Sequence, residues 1–376
     1  MRVAIITHLP DNVVAPAGGV AVGSMALLRG LARRPNVELH VLTDRSCRAA
    51  PYYLDALASK VYPVHPTPWL PGILDCVTLQ RKRVERYLEE IEPDIVHVQG
   101  NACWIHPKRW PAVLTIRGIP ERDVLFSPGP LRRFRSLMIR MIQGRDRSRY
   151  DHIIAISSYV EKQLGGQLRG CIYHIPNPVE VGFYTLPRRT VPNRVLLLGM
   201  IIPLKNIHGL LEAARIVCES VPSLSLHLAG ALDRAPAYYE KMCGLLKEYG
   251  LDGQARFLGN LSREEVMCEL AEAACLVLPS FQENLPMAVA EAMAAGVPVV
   301  ASDVGGVADM VRDGETGYLI DPSRPDMIAD RIERILMDPD LAGRFGRTAK
   351  EKAMVQHPDR VAEQTLEVYR RVLEMR

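Results

Sequence analysis

Short apolar runs alternate with longer amphipathic stretches along the chain, and the alternation is made twice. In the first pass the runs predict strands over Arg2–Thr7, Val37–Thr43, Asp94–Val98, Ala112–Ile116, His152–Ile156 and Ile172–Ile175. In the second they predict strands over Arg194–Gly199, Leu224–Ala229, Ala255–Leu258, Ala274–Leu278, Val297–Ala301 and Tyr318–Ile320. Strands apolar on both faces that alternate with helices belong to parallel sheets covered on both sides. The expected fold class is therefore α/β, with two doubly wound, Rossmann-like sheets. Ligands of such sheets bind beyond the carboxyl ends of the strands, so function belongs in strand-to-helix loops and, for two facing sheets, in the cleft between them.

The proline-rich segment from Pro176 to Asn193 lacks helical periodicity and reads as the link between domains. The expected division is an N-terminal domain over residues 1–180, a C-terminal domain over 181–358, and a terminal helix over 359–376 that packs back on the N-terminal domain. Neither half opens with the G-x-G-x-x-G fingerprint of a dinucleotide-binding unit, which argues against an oxidoreductase.

A length of 376 residues suits two or three domains. No stretch approaches ~18 uninterrupted apolar residues, and the start has no basic, apolar and small-residue pattern of a signal peptide. A cytoplasmic protein is expected, with peripheral attachment to the inner face of a membrane as a variant of that reading. Eight cysteines without a C-x-x-C pair fit scattered thiols better than a zinc site or a disulfide framework. The net charge of +3 divides unevenly: residues 1–185 carry +8 and residues 186–376 carry −5. A basic first half suits an anionic partner.

Part of that charge lies in residues 131–149, with seven arginines against one aspartate. Leu131, Phe134, Leu137, Met138, Met141 and Ile142 recur there at helical spacing, which predicts a basic amphipathic helix. Packing of its apolar positions on the N-terminal sheet, with the arginines solvated, is the preferred reading; contact with a membrane surface is the alternative. Aromatic residues make up only 6% of the chain and no nucleic-acid motif accompanies the charge, so no nucleic-acid partner is expected.

The most informative window runs from Pro279 to Gly306. A buried strand leads through a polar loop into a helix, with Pro286 suited to the first turn and Gly296 to the C-terminal cap. Glu291 is the lone charge in the apolar run Met287–Ala295, and burying it requires a polar partner. Glu283 precedes it by eight positions, roughly 12 Å on a helical rise. Carboxylates that flank one bond stand about 5 to 9.5 Å apart. The wider spacing suits two hydroxyl-rich rings joined by a diphosphate, while a solvated pair of unrelated carboxylates fits the spacing equally well.

The window resembles the E-x7-E motif of the family 4 retaining glycosyltransferases, two-domain enzymes of the GT-B fold. Other blocks agree in order: Gly18-Gly19, Asp94 to His97, Ile153 to Ser157, Pro176-Asn177-Pro178, Leu198-Gly199 with Lys205-Asn206, and Phe257-Leu258-Gly259. The resemblance implies transfer of a sugar from a nucleotide diphosphate-sugar, with uridine favoured, to an acceptor hydroxyl by front-face attack. It implies no metal and no further cofactor. The acceptor class stays open among small molecules, glycans and lipid-linked compounds, as does the oligomeric state. A nucleotide-sugar epimerase or hydrolase, and a non-catalytic sugar-nucleotide binder, are the competing functions.

By the same resemblance Glu283 holds donor-sugar hydroxyls, Glu291 holds the ribose, and Lys205 steadies the diphosphate. The loop Asn284, Leu285, Pro286 and Met287 offers backbone amides, Gly18 and Gly19 let the main chain approach a substrate, and Leu258 lies where the base would stack. His8 and His97 at strand ends are candidate acceptor contacts, although a lone strand histidine is more often a packing residue. Two positions depart from the family: Met200 replaces a usual arginine, and Arg117 replaces a usual histidine. Arginine cannot serve as a general base but can bind an anion through two nitrogens, so Arg117 is expected to contact the donor diphosphate or a charged acceptor.

Overall fold

The computed structural model describes residues 1–9, 19–44, 48, 50–69, 72–126 and 131–375. The chain divides into two compact units, the first formed by Met1–Pro178 with Pro358–Arg376 and the second by Val179–His357.

The first unit holds strands β1 Arg2–Ile6, β2 Glu38–Thr43, β3 Tyr52–Leu54, β4 Ser59–Pro63, β5 Ile95–Gln99, β6 Ala112–Ile116, β7 His152–Ala155 and β8 Cys171–His174. Their order is β3-β4-β2-β1-β5-β6-β7-β8, and every pairing is parallel except that of β3 with β4. The second unit holds β9 Arg194–Leu198, β10 Ser225–Ala229, β11 Ala255–Gly259, β12 Cys275–Leu278, β13 Val299–Ser302 and β14 Gly317–Ile320. These form one parallel sheet in the order β11-β10-β9-β12-β13-β14.

Burial explains which strands were legible. Every residue of β5, β6, β7, β12 and β13 is buried, so most positions on both faces are apolar and the runs stand out. The antiparallel pair β3–β4 gave no such signal, because Tyr52–Leu54 lies at the sheet edge with none of its residues fully buried. It is an addition to the predicted strand set.

Each sheet has its own core. In the first unit Val3, Ile5 and Val41 meet Met25 and Leu28 of the helix Gly19–Ala32, together with Val361, Leu366 and Tyr369 of the helix Pro358–Glu374. Those two helices touch closely at Gly30, where a Cβ would stand 3.0 Å from Pro358 O. In the second unit Val195, Leu197 and Val277 pack with Leu210 and Ala214 of the helix Ile207–Ser220 and Ile328 and Ile332 of the helix Pro325–Met337.

Residues 131–149 do form a helix, Arg132–Arg147, but its orientation reverses the preferred reading. Leu131, Phe134, Leu137, Met138 and Met141 are exposed, and none is packed on the sheet. The face turned inward carries Gln143, Asp146 and Arg147.

Candidate active site

The second sheet parts between β9 and β12: β10 and β11 extend from one side of β9, and β12 to β14 from the other. Loops that leave the carboxyl ends of strands parting in this way open a ligand-sized crevice. Lys205 lies on the loop after β9 and Glu283 on the loop after β12. Lys205 ends a tight 3-10 turn, Pro203–Lys205, and Asn206 follows at φ 54°, a left-handed conformation that asparagine tolerates. The Asn206 side chain then accepts a hydrogen bond from Gly209 N at 3.3 Å and starts the next helix. Lys205 Nζ donates to Glu283 Oε1, and both side chains are largely buried.

Gly305 sets the path of the Glu283 loop. It adopts φ 62°, and a Cβ there would stand 1.6 Å from Glu283 O, so only glycine permits this approach. Leu285 and Met287 are buried, while Ser280 Oγ and Asn284 Oδ1 are buried without a hydrogen-bond partner. The helix Met287–Ala294 begins after Pro286, which serves as its N-cap at φ −69° and ψ 121° rather than lying inside the first turn. Glu283 is therefore on non-helical chain, and a separation based on helical rise holds only from Met287 onward.

Glu291 is 5% exposed, and its expected polar partner is Arg263, whose Nη1 donates to Glu291 Oε1 at 2.8 Å. Arg263 Nε also donates to Glu180 Oε2 at 3.0 Å, and the guanidinium lies 4.2 Å from the centre of the Phe183 ring. Burial lifts the Glu291 carboxyl above the ordinary carboxylate range, with Arg263 opposing the shift. A capping box, Ser262 with Glu265, fixes the start of the helix Arg263–Glu272 and thereby the position of Arg263. The apolar setting of Glu291 called for such a partner, but no sequence feature singled out a residue 28 positions away.

The first sheet parts between β1 and β5, and a buried polar network occupies the carboxyl ends there. Thr7 Oγ1, Ser24 Oγ and Arg117 Nη2 all reach Gln99 Oε1, at 3.1, 3.0 and 3.0 Å. Arg117 Nη1 donates to Asn177 Oδ1 at 2.5 Å. Arg117 is 5% exposed, yet its bonded partners are neutral amide oxygens; its Nε and Gln99 Nε2 are buried without partners. Burial lowers the Arg117 pKa to about 10, so the group remains a cation at neutral pH.

The other predicted residues separate. His97 is fully buried, its Nδ1 2.6 Å from Tyr369 Oη and its Nε2 2.6 Å from Thr115 Oγ1. Both ring nitrogens are occupied, and the residue is a core contact rather than one presented to an acceptor. His8 is half-buried after β1, with Nδ1 2.6 Å from Asp44 Oδ1 and Trp104 edge-on at 5.2 Å. Gly19 is an exposed first residue of its helix, and Gly18 lies outside the described residues. Leu258 is half-buried in β11, while the neighbouring Phe257 packs edge-on against Tyr239 at 5.1 Å. Met200 is 45% exposed and adds no cation beside Lys205. Among the described residues no group of three or more His, Cys, Asp or Glu side chains is arranged to hold a metal, and no helix is long and apolar enough to cross a membrane.

Residues 17–183 match the family described as Glycosyltransferase Family 4, and residues 185–352 match Glycosyl transferases group 1. The chain is 27% identical to the D-inositol 3-phosphate glycosyltransferase of Actinosynnema mirum, across 94% of this chain and 92% of that protein. The enzyme of the same name from Nocardioides sp. is 35% identical over 188 residues, which span 47% of this chain and 41% of the relative's own length. Other curated relatives are likewise matched over less than half of their length, among them EpsD of Bacillus subtilis at 43%. Among solved structures, sucrose-phosphate synthase from Thermosynechococcus elongatus has a TM-score of 0.83 with 21% identity over the whole of both chains. Anabaena HepE bound to UDP and glucose has a TM-score of 0.73 with 17% identity over 98% of each chain. WaaG, a glycosyltransferase of lipopolysaccharide biosynthesis, also reaches 0.73 with 17% identity over 97% of this chain and 99% of its own. The two consecutive family matches and the two parallel-sheet units together identify the chain as a family 4 glycosyltransferase of the GT-B fold.

Proposed function

We propose that the protein transfers a sugar from a nucleotide diphosphate-sugar, with UDP-sugar favoured, to an acceptor hydroxyl with retention of configuration. The observation that carries this reading is the Lys205–Glu283 pair at the parting of the second sheet. Glu283 supplies acceptor oxygens for sugar hydroxyls, and Lys205 supplies a point charge for the departing diphosphate. The backbone amides that open the helix at Met287 add positive potential toward the same phosphates. Glu291, oriented by Arg263, accepts hydrogen bonds from the ribose.

In the proposed front-face reaction the acceptor oxygen bonds to the anomeric carbon as the carbon–oxygen bond to the diphosphate breaks. The acceptor proton passes to a phosphate oxygen, so no side chain has to act as base. The reading needs no divalent metal, because Lys205 carries the neutralising charge. HepE was solved with UDP and glucose, which is in keeping with a uridine donor here. The acceptor is expected to bear an anionic group that Arg117 binds; relatives named for an inositol phosphate fit that charge. His8 remains a candidate acceptor contact.

The test is nucleotide release from a panel of nucleotide sugars, with and without acceptors and in the presence of a chelator, alongside thermal shifts. Acceptor-dependent release that survives the chelator is expected. Release without acceptor would support a hydrolase or epimerase, and binding without any release a non-catalytic binder. Failure of every nucleotide sugar to raise the melting point would sink the donor assignment.

A further inference from the structure

The helix Arg132–Arg147 is amphipathic in the wrong sense for a helix held by a hydrophobic core. The residues it buries, Gln143, Asp146 and Arg147, are all polar. Ser136 Oγ donates to Glu121 O at 2.6 Å, and Gln143 Nε2 donates to Asn101 Oδ1 at 2.8 Å. Asp146 accepts from Arg81 at 2.5 Å, and Arg147 pairs through two nitrogens with Glu121 at 2.6 and 3.0 Å. These groups fasten the helix with two neutral hydrogen bonds and two ion pairs and leave its apolar stripe uncovered. Leu131, Phe134, Leu137 and Met141 are each more than half exposed, from 53% to 72%. At ~100° per residue Phe134, Leu137, Met138 and Met141 fall on the face opposite Gln143 and Arg147, and Leu131 just precedes the helix as its left-handed N-cap.

Arginines border the stripe. Arg133 and Arg140 fall on one flank, Arg135 on the other and Arg145 near its C-terminal end, and all four are exposed. Among the described residues none of the four has an ion-pair partner, in contrast to Arg147 on the inward face. A second copy packed stripe to stripe would bring these arginines together at close range, whereas a layer with an apolar interior and anionic headgroups answers both features at once.

We propose that the outward face of the helix Arg132–Arg147 is a docking surface for an anionic lipid membrane, with Phe134, Leu137, Met138 and Met141 entering the interface and Arg133, Arg135 and Arg140 meeting lipid phosphates. The helix lies along the surface and does not cross it: its 16 residues span about 24 Å and carry too many charges. The inference is independent of the donor and acceptor assignments. It places at a membrane one exposed face of the unit that carries the positive charge excess.

The experiment is co-sedimentation of the whole protein with vesicles of phosphatidylcholine alone and of a roughly 2:1 mixture of phosphatidylcholine and phosphatidylglycerol. The protein is expected to sediment with the mixed vesicles and not with the neutral ones. Each arginine near such a surface strengthens binding about fivefold, so R133Q/R135Q/R140Q is expected to weaken it on the order of 100-fold, with less of it left at high salt. F134S/M141S, which alters only the stripe, is expected to weaken binding while leaving the melting temperature of the free protein unchanged. Wild type that stays in the supernatant with mixed vesicles overturns the proposal, as does binding that survives both variants. Sizing of the free protein supplies the other arm: a dimer that F134S/M141S converts to monomer would assign the stripe to a second copy and reject the membrane.

Discussion

Lys205 and Glu283, 78 residues apart in sequence, meet as an ion pair where the second sheet parts between β9 and β12. Each comes from the loop after one of the two diverging strands, and Gly305 holds the backbone of the second loop in place. The pair leaves an ammonium group beside a carboxylate at the carboxyl ends of the strands, where the proposed donor would bring its phosphate and hydroxyl groups.

Lys205→Ala removes the charge proposed to meet the leaving diphosphate. Turnover is expected to fall by about 100-fold to 1,000-fold, as when a single stabilising donor is lost from a transition state. Donor affinity should fall less than kcat, since the negative charge grows as the bond breaks. Steady-state kinetics with a titration of donor binding separates the two, and a loss confined to KM would reject the transition-state role.

Arg263 and Glu291 make a different kind of pair, buried and tied to a third group, Glu180. Removal of one partner leaves an uncompensated charge, which costs about 3–5 kcal/mol. Arg263→Met is therefore expected to lower the unfolding free energy by that order, whereas R263M/E291Q recovers part of it. Urea denaturation of both variants checks the coupling. If R263M is as stable as wild type, the buried Arg263–Glu291 pair does not contribute to the stability of the second unit.

Arg117 offers a buried guanidinium to a neutral network of Gln99 and Asn177. If it binds an anionic acceptor group, Arg117→Met is expected to raise the KM for that acceptor about 10-fold to 100-fold, the usual range for a charged hydrogen bond. Donor affinity should change little. Equal acceptor KM values for wild type and variant would exclude the contact.

His97 yields a pH prediction. Burial chiefly, with the Arg117 charge adding to it, lowers its pKa from the ordinary 6.5 to about 3. The unfolded chain thus binds a proton that the folded protein refuses between these values. The neutral histidine's contribution is complete above about pH 6.5 and is lost as pH falls, at about 1.4 kcal/mol per pH unit until near pH 3. Denaturant melts of wild type and His97→Gln at several pH values should show the difference between them shrinking over that window. A constant difference would mean that the folded protein tolerates the imidazolium.

The strands that carry the sites were legible because they are buried on both faces, as Cys275–Leu278 shows. The edge strand β3 was not, because a short strand with no fully buried residue needs no apolar run, and β4 beside it, though mostly buried, alternates Ser59, Lys60 and Tyr62 with its apolar positions. His97 shows the limit for single residues. Its place at a strand end suggested a ligand contact, and only the helix Pro358–Glu374, arriving from the far end of the chain with Tyr369, shows that the ring is enclosed.

The sequence alone determined the alternation of strands and helices, the two-sheet class and the residues of the E-x7-E window, because local periodicity and motif spacing are written along the chain. Tertiary structure decided which groups meet. Arg263 as partner of Glu291, Gln99 and Asn177 as partners of Arg117, and the outward turn of Phe134 and Met141 all depend on contacts between distant segments. A one-dimensional pattern defines an apolar face, but packing against other elements determines whether that face is covered.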